Sequence, residues 1–233
     1  MIGQEADIII FDLMWVVHLV SMTELNSEIR VILIGGTSHV GKSTLGRSLA
    51  NQLEWNYLDT DSLGKHPGRP WINENTKVIR KYVAKHYKSL SVEALLSDVL
   101  LHYQQNILPQ VETLVKDCIC DRSSKSLLIE GSALYPRFVE YLIDTKNVRG
   151  IWLTASDRIV QNRIYKASNF YNVSREEKYL IQKFLERTLI YDRRMREDIK
   201  SLELVQIDVE FPTSKELIKK CLEQIECDRA IGN

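Results

Sequence analysis

The sequence predicts an α/β fold of three layers, in which helices cover both faces of a five-stranded parallel sheet. Short apolar runs recur five times, and segments with helical periodicity separate each run from the next. Strands that alternate with helices pair in parallel through crossover connections. No repeat, low-complexity tract or Pro/Gly/Ser-rich linker divides the 233 residues, of which 44% are hydrophobic. A chain of this length and composition can bury a substantial core.

Each predicted strand is a short apolar run of the kind that is buried on both faces of a parallel sheet. The runs contain, in order, the sequences VILI, WNYL, SLLIE, VRGIWL and LVQID. They place the strands at residues 30–35, 55–58, 126–130, 148–153 and 204–208.

The helices between the strands are predicted from apolar residues three and four positions apart. They lie at residues 42–53, about 74–88, 92–120, 136–144, 156–168, 174–200 and 213–226. Pro109 is predicted to break the third of these, because proline lacks an amide hydrogen and its ring collides with the preceding turn. Ser174 and Glu177 fit a capping box that starts the long sixth helix.

Two segments of the chain are expected to stand over a ligand site. The stretch at about 62–125 is almost wholly helical, and we expect this insertion above the carboxyl ends of the strands, where open α/β sheets bind ligands. The polar sequence KASNFYNV, with arginines on both sides, predicts a lid at about 163–178. One domain is expected over residues 29–233. Residues 1–28 are expected to be an upstream reading-frame extension or a loosely attached segment.

Composition excludes several classes of partner. Lys plus Arg and Asp plus Glu both total 31, so the formal net charge is zero, which argues against nucleic-acid binding through bulk basic charge. The first apolar residues are interrupted by Asp12 and His18 and are too short for a membrane span. The cysteines form no C-x-x-C pair, which indicates reduced thiols in a cytoplasmic protein. They are Cys118, Cys120, Cys221 and Cys227.

The most informative motif directly follows the first strand. It fits G-x-x-x-x-G-K-[ST] and predicts a glycine-rich loop around phosphate oxygens, followed by a helix whose first amides point at the same anion. Lys42 would reach the β- and γ-phosphates, and the Ser43 hydroxyl would bind Mg²⁺. The alternative is an ordinary strand-to-helix turn. The predicted nucleotide-binding residues are Gly36, Thr37, Ser38, His39, Val40, Gly41, Lys42, Ser43 and Thr44.

Acidic side chains follow the second and third predicted strands. Of Asp59 and Asp61, one would hold a Mg²⁺-bound water and the other would accept a proton from a substrate hydroxyl, unless the segment is only a helix N-cap. Glu130 would lie near Mg²⁺, contact substrate or pair with Lys42 when the site is empty.

Two groups of basic residues are candidates for binding anions. The loop KHPGRPW contains two prolines and is therefore stiff, and its Arg69 would bind an anionic group of the substrate in a bidentate way. The alternative is a structural turn with solvated charges. Among the late arginines, Arg163 is the best placed to stabilise a transferring phosphoryl group. Most of the others are expected to pair with nearby acids on the surface; these arginines are Arg158, Arg175, Arg187, Arg193, Arg194 and Arg196.

The segments GGTSHVGKST, KHPGRPW and IEGSALYP together resemble the small P-loop kinases of the 2-phosphoglycerate kinase-like group, over about residues 29–210. That group shares its core with the adenylate, shikimate and gluconate kinases. The D-T-D sequence is similar to a shikimate kinase motif, which implies a Mg²⁺-supporting role for Asp59 and an acceptor contact for Asp61. The same resemblance implies that Glu130 faces the acceptor. It implies a Mg²⁺-ATP phosphotransferase with a hinged lid.

Three functions remain to be weighed from the sequence. The leading hypothesis is a kinase that uses Mg²⁺ and ATP, with Lys42, Asp61 and Arg163 as its catalytic residues and a small anionic acceptor bound by Arg69. A nucleotide-operated switch or slow NTPase is the alternative, although no N-K-x-D guanine-specificity element is present. A purely structural protein is the third, and the intact Gly41-Lys42-Ser43 disfavours it.

Overall fold

The computed structural model describes residues 28–64, 66–71, 79–210 and 213–227. The proposed extension up to residue 27, Lys65 and the start of the helix expected near residue 74 lie outside the described residues. The strands are β1 Val31–Gly36, β2 Asn56–Asp59, β3 Leu127–Glu130, β4 Val148–Thr154 and β5 Gln206–Asp208. The helices are α1 Lys42–Gln52, α2 Lys81–Ser89, α3 Val92–His102, α4 Leu108–Cys120, α5 Pro136–Ile143, α6 Asp157–Ala167, α7 Arg175–Ser201 and α8 Ser214–Cys227.

All five strands pair in parallel in the order β2-β3-β1-β4-β5, which confirms the predicted sheet. The chain leaves β1 for the far edge, returns to β3 beside it, and then continues to β4 on the other side. Strand order therefore reverses at β1, and a crevice opens at its carboxyl end. In the register of the sheet Glu130 lies opposite both Ile34 and Asp59.

Alternate residues of β1 point into two separate cores, as the pleat of a strand requires. Ile32 and Ile34 belong to the core beneath α1, α6 and α8, and Val31 and Leu33 belong to the core beneath α4 and α5. All four are fully buried. Helices therefore cover both faces of the sheet, and the predicted three-layer architecture is confirmed.

Helix α7 joins the two cores. Its capping box is formed as predicted, because Ser174 accepts from the amide of Glu177 and the glutamate side chain accepts from the amide of Ser174. Phe184 packs in the first core, whereas Met195 packs in the second. This long helix passes over the carboxyl ends of the strands between these points, so its middle faces the crevice.

The expected break at Pro109 does not occur. The helical path continues from α3 into α4 through a π-turn at Tyr103–Ile107, and Pro109 lies in the first turn of α4. The wider turn moves the backbone carbonyls that a proline ring would strike, and the first turn of a helix does not need the missing amide hydrogen. The prediction was wrong because it considered only a helix of constant pitch.

The insertion divides between two roles. Val111 and Val115 of α4 are buried in the second core, so this helix covers the sheet rather than the ligand site. Tyr82 of α2 and Val99 of α3 instead line the cavity that is described below. Lys183 of α7 donates to the backbone carbonyls of Tyr87 and Leu90, which fixes the α2–α3 connection to α7.

Gly131 follows β3 at a point where no other residue fits. A Cβ atom added to Gly131 would lie 1.7 Å from Oγ1 of Thr60. We expect Gly131→Ala to lower the free energy of unfolding by about 2 kcal/mol or more, because overpacking forces the backbone apart. Urea denaturation measures this effect. Combining the change with Thr60→Ala should restore part of the loss, and an equal loss in the double variant would show that steric contact is not the cause.

No helix in the described part of the chain is both long and apolar enough to cross a membrane. Cys118, Cys120 and Cys221 are free thiols.

Candidate functional site

The glycine-rich loop connects β1 to α1 at the point where strand order reverses. Gly41 is the N-cap of α1 with a φ of 105°, a left-handed conformation that glycine adopts without strain. Among the described residues no side chain caps this helix, and its first turn contains no acidic residue. Uncapped amides at a helix N-terminus are groups that bind anions.

Lys42 is buried in the loop that it follows. Its ammonium donates to the carbonyl oxygen of Thr37 at 2.9 Å and to Oγ of Ser132 at 3.3 Å. Burial lowers the pKa of Lys42, and the negative charge of Glu130 is the largest effect that opposes it. The lysine is thus held between the loop and Ser132, two residues after β3, and the charge of Glu130 acts on its ammonium.

His39 occupies the tip of the loop with a positive φ of 66°. Its ring lies among Trp71 and Phe184, at centroid distances of 5.8 Å and 6.2 Å. Burial, followed by the charges of Arg69, Lys42 and Arg163, lowers the pKa of this imidazole to about 3. His39 is therefore neutral in the folded protein at neutral pH.

The pKa of His39 predicts a specific acid sensitivity. The unfolded chain takes up a proton near pH 6.5 and the folded chain only near pH 3, so stability is present above 6.5 and falls as the pH drops toward 3. Between pH 7 and pH 5, wild type should lose about 2 kcal/mol more unfolding free energy than His39→Gln. Urea midpoints at the two pH values measure the difference. Parallel losses in the two proteins would show that His39 does not titrate in this way.

Asp59 and Asp61 lie at the carboxyl end of β2, beside the loop. Asp59 caps a short 3₁₀ turn, and its Oδ1 accepts from the amide of Asp61 at 2.9 Å. Asp59 is therefore a cap, as the alternative interpretation predicted. The turn that it caps directs the Asp61 side chain into the cavity described below. Desolvation inside that cavity, followed by the charge of Asp59, raises the pKa of Asp61.

Glu130 ends β3 and is almost completely buried, with 1% of its surface exposed. Its Oε1 accepts from the hydroxyl of Tyr57 at 2.8 Å. Burial raises the pKa of Glu130, while the charge of Lys42 and the Tyr57 hydrogen bond oppose that shift. Glu130 faces the ammonium of Lys42 from the floor of the site and does not line the cavity.

A cavity of about 380 Å³ opens directly beside the glycine-rich loop. Its floor includes Thr37, Ser38 and Ser132, and Asp61 lines one side. Helix α3 and the π-turn form a second wall, and α7 forms a third. The cationic residues of the lining are Arg69, Arg80 and Arg187. A glycine-rich loop, a carboxylate and several guanidinium groups thus meet in one cavity.

Several solved structures with a similar fold are small kinases. A shikimate kinase from Aquifex aeolicus superposes with a TM-score of 0.51 at 14% identity, over 87% of this chain and 99% of that chain. This chain has a P-loop kinase fold. A gluconokinase from Sinorhizobium meliloti gives a TM-score of 0.48 at 16% identity, over 84% and 90% of the two chains. A thymidylate kinase from Candida albicans gives 0.48 at 15% identity, over 86% and 92%. No protein-family model matches the sequence, and no curated protein matches it.

Arg163 contacts the P-loop from outside. Its guanidinium donates to the backbone carbonyls of His39 at 3.1 Å and Val40 at 3.0 Å. On the other side of the loop, Oγ1 of Thr37 donates to the carbonyl of Thr188 in α7. In this conformation Arg163 positions the P-loop, and it does not line the cavity.

The segment expected to act as a lid is the connection between α6 and α7. Residues 163–167 and 175–178 belong to these helices, and the connection itself spans 168–174. Phe170 in this connection is buried and stacks on Tyr165 with 3.9 Å between ring centroids. The neighbouring Tyr171 is 75% exposed. The connection is therefore anchored by one aromatic pair and presents a second aromatic ring to solvent.

The loop around Arg69 is stiff for more reasons than its prolines. The hydroxyl of Tyr87 donates to the carbonyl of Gly68 at 2.8 Å. Trp71 is 4% exposed and meets Phe184 edge to face at 4.8 Å. These contacts hold the loop at both ends of Arg69 and keep that side chain at the cavity.

Arg187 was expected on the surface, and the structure places it in the cavity. Its guanidinium lies 4.7 Å from the ring centre of Phe184, and its buried Nη1 has no hydrogen-bond partner among the described residues. Arg187 follows Phe184 by three positions and precedes Tyr191 by four, and both of those residues are buried. An arginine within an otherwise buried helical stripe is the signal that sequence reasoning overlooked.

Proposed function

We propose that this protein is a cytoplasmic kinase that transfers the γ-phosphoryl group of Mg²⁺-ATP to a hydroxyl of a small anionic metabolite. The observation that carries the proposal is the cavity in which the P-loop, Asp61 and Arg187 meet, with Nη1 of Arg187 lacking a hydrogen-bond partner in the described part of the chain. A loop that only fixes a nucleotide for signalling needs no such cavity beyond the phosphates. Phosphoryl transfer needs it, because the acceptor must be held in line with the donor.

The donor side is proposed to use the P-loop from Gly36 to Thr44. The uncapped amides of α1 would bind the β- and γ-phosphates, and Lys42 would exchange its contact with the Thr37 carbonyl for phosphate oxygens. Ser43 and Asp59 offer hydroxyl and carboxylate oxygens, the donor set that Mg²⁺ prefers, so the residues present fit the ion. When bound, Mg²⁺ would neutralise charge on the phosphates.

The acceptor side is proposed to use the cavity. Asp61 would orient the acceptor hydroxyl and take its proton, and its raised pKa makes it a stronger base than an ordinary carboxylate. Arg69 and Arg187 would hold an anionic group of the acceptor at the other end. A guanidinium that stacks on Phe184 is preorganised, so little side-chain freedom is lost on binding.

Exclusion of water is the remaining requirement for a kinase, because water competes with the acceptor hydroxyl. The 168–174 connection is proposed to close over the phosphates when nucleotide binds. In that closed state Arg163 would leave the loop carbonyls and stabilise the transferring phosphoryl group. Glu130 is proposed to stay near the acceptor side through its contacts with Tyr57 and Lys42.

The proposal is tested by measuring ADP formation from Mg²⁺-ATP alone and with pooled sugar acids, polyols and phosphorylated metabolites. An anionic pool should stimulate consumption, and mass spectrometry should detect one phosphorylated product. Lys42→Ala protein from the same preparation controls for contaminating ATPase. Equal, slow hydrolysis in every pool would overturn the kinase proposal and favour a nucleotide-operated switch.

A further inference from the structure

Two histidines and an aspartate converge beside the cavity, away from the P-loop. Nε2 of His66 lies 3.0 Å from Oδ2 of Asp98, and Nε2 of His86 lies 3.5 Å from the same oxygen. The three side chains offer ligand atoms that all lie within 4.8 Å of one another. The proposed phosphoryl transfer uses none of these residues.

The three residues come from separate parts of the fold. His66 belongs to the loop after β2, His86 to the last turns of α2, and Asp98 to α3. The histidine side chains are largely buried, at 13% and 15% exposure, whereas Asp98 is 46% exposed. The cluster therefore has a sheltered nitrogen side and a carboxylate side that water can reach.

The hydrogen bonds of the protein leave this cluster incomplete. Nε2 of His86 is buried and makes no hydrogen bond within the described ranges of the chain. Oδ2 of Asp98 forms a hydrogen bond with Nε2 of His66, and the same oxygen lies near Nε2 of His86. A buried ring nitrogen without a partner calls for a further group at that position.

We propose that His66, His86 and Asp98 bind a divalent first-row transition metal ion such as Zn²⁺. Ligand bonds of about 2.0–2.1 Å in a tetrahedral site separate the ligand atoms by about 3.3 Å, so small side-chain movements bring these three atoms into place. Imidazole nitrogens favour such ions over Mg²⁺ and Ca²⁺, which prefer oxygen. Three protein ligands leave at least one coordination position for water.

The position of the cluster gives the ion a consequence for the cavity. His66 lines the cavity and precedes Arg69 by three residues. An ion bound to His66 would fix the loop to α2 and α3 and so hold Arg69 in position. His102 packs beside His66 with 5.1 Å between ring centroids but is outside the ligand set. It is therefore a matched control.

The test is Zn²⁺ binding to chelator-treated full-length protein without nucleotide, measured by competition with a chromogenic chelator. One Zn²⁺ per chain should bind wild type, and His86→Gln and Asp98→Asn should each weaken binding by about tenfold or more. Co²⁺ substitution should give visible absorption that both variants lose. Zn²⁺ should raise the melting temperature of wild type but not of these variants.

His102→Gln should bind Zn²⁺ as wild type does. Equal Zn²⁺ affinity in wild type, His86→Gln and Asp98→Asn would overturn the proposal, as would a loss confined to His102→Gln. The four cysteines remain in every variant, so thiol binding cannot produce the expected difference. Circular dichroism without metal shows that each variant is folded. The outcome is independent of the proposed kinase reaction, because the assay contains no ATP.

Discussion

Lys42→Ala should lower turnover by about 10³-fold, the loss that follows removal of a preorganised group that stabilises charge in the transition state. Lys42 is the buried cation that the P-loop carbonyl of Thr37 and the hydroxyl of Ser132 hold in place. No rearrangement of the loop supplies another ammonium group at that point. Steady-state ADP formation with a saturating acceptor pool measures the effect.

The fold should survive this substitution, because removing the buried ammonium relieves its own desolvation cost and Glu130 keeps the hydrogen bond from Tyr57. Ser48→Ala, at an exposed position of α1, is the matched control and should keep wild-type turnover. Retention of more than a tenth of wild-type activity by a folded Lys42→Ala protein would contradict the assignment of Lys42.

Asp61→Asn should reduce turnover by about 10²- to 10⁴-fold, the usual contribution of a general base. ATP affinity should change little, since Asp61 faces the cavity and Asp59 forms the cap. Desolvation raises the pKa of Asp61, and the reaction needs the carboxylate. Wild-type turnover should therefore rise with pH through that raised pKa, and the variant should lose this acid limb.

Asp59→Asn is the informative comparison for Asp61→Asn. Asparagine still accepts a hydrogen bond as a cap, so the local turn should persist while the charge is lost. We expect this variant to need more Mg²⁺ for half-maximal activity, whereas Asp61→Asn should show wild-type Mg²⁺ dependence. Full activity of Asp61→Asn with every acceptor pool would show that its assigned role is wrong.

The sequence predicted the sheet, its helices and the phosphate-binding loop because each depends on local signals. The strands are short, largely apolar runs, and the observed bounds of β1 and β3 differ from the predicted ones by at most one residue at each end. The loop follows from glycines and a lysine at fixed spacing. The capping box of α7 could also be predicted, because the side chains of Ser174 and Glu177 each accept a hydrogen bond from the other residue's amide within one turn.

Most of the cavity beside the loop could not be predicted, because its walls come from segments far apart in the chain. Arg187 belongs to this cavity only because α7 crosses the strand ends between two cores. The contact of Lys183 with the α2–α3 connection joins residues 96 and 93 positions apart. Periodicity indicates that a helical face is buried but does not say which partner buries it.

The π-turn between α3 and α4 corrects the phase of one apolar stripe. Val99 and Val111 pack in the same core although they are twelve positions apart, and a regular helix would place them about 120° out of alignment. Because the π-turn accommodates one extra residue, the angular offset between Val99 and Val111 falls to about 20°. Deleting one residue from Tyr103–Ile107 should therefore restore regular hydrogen bonding and keep α4 in phase, whereas a regular helix with all the present residues would rotate α4 by about 100°. The irregular backbone of the π-turn thus allows α3 and α4 to pack on the same core.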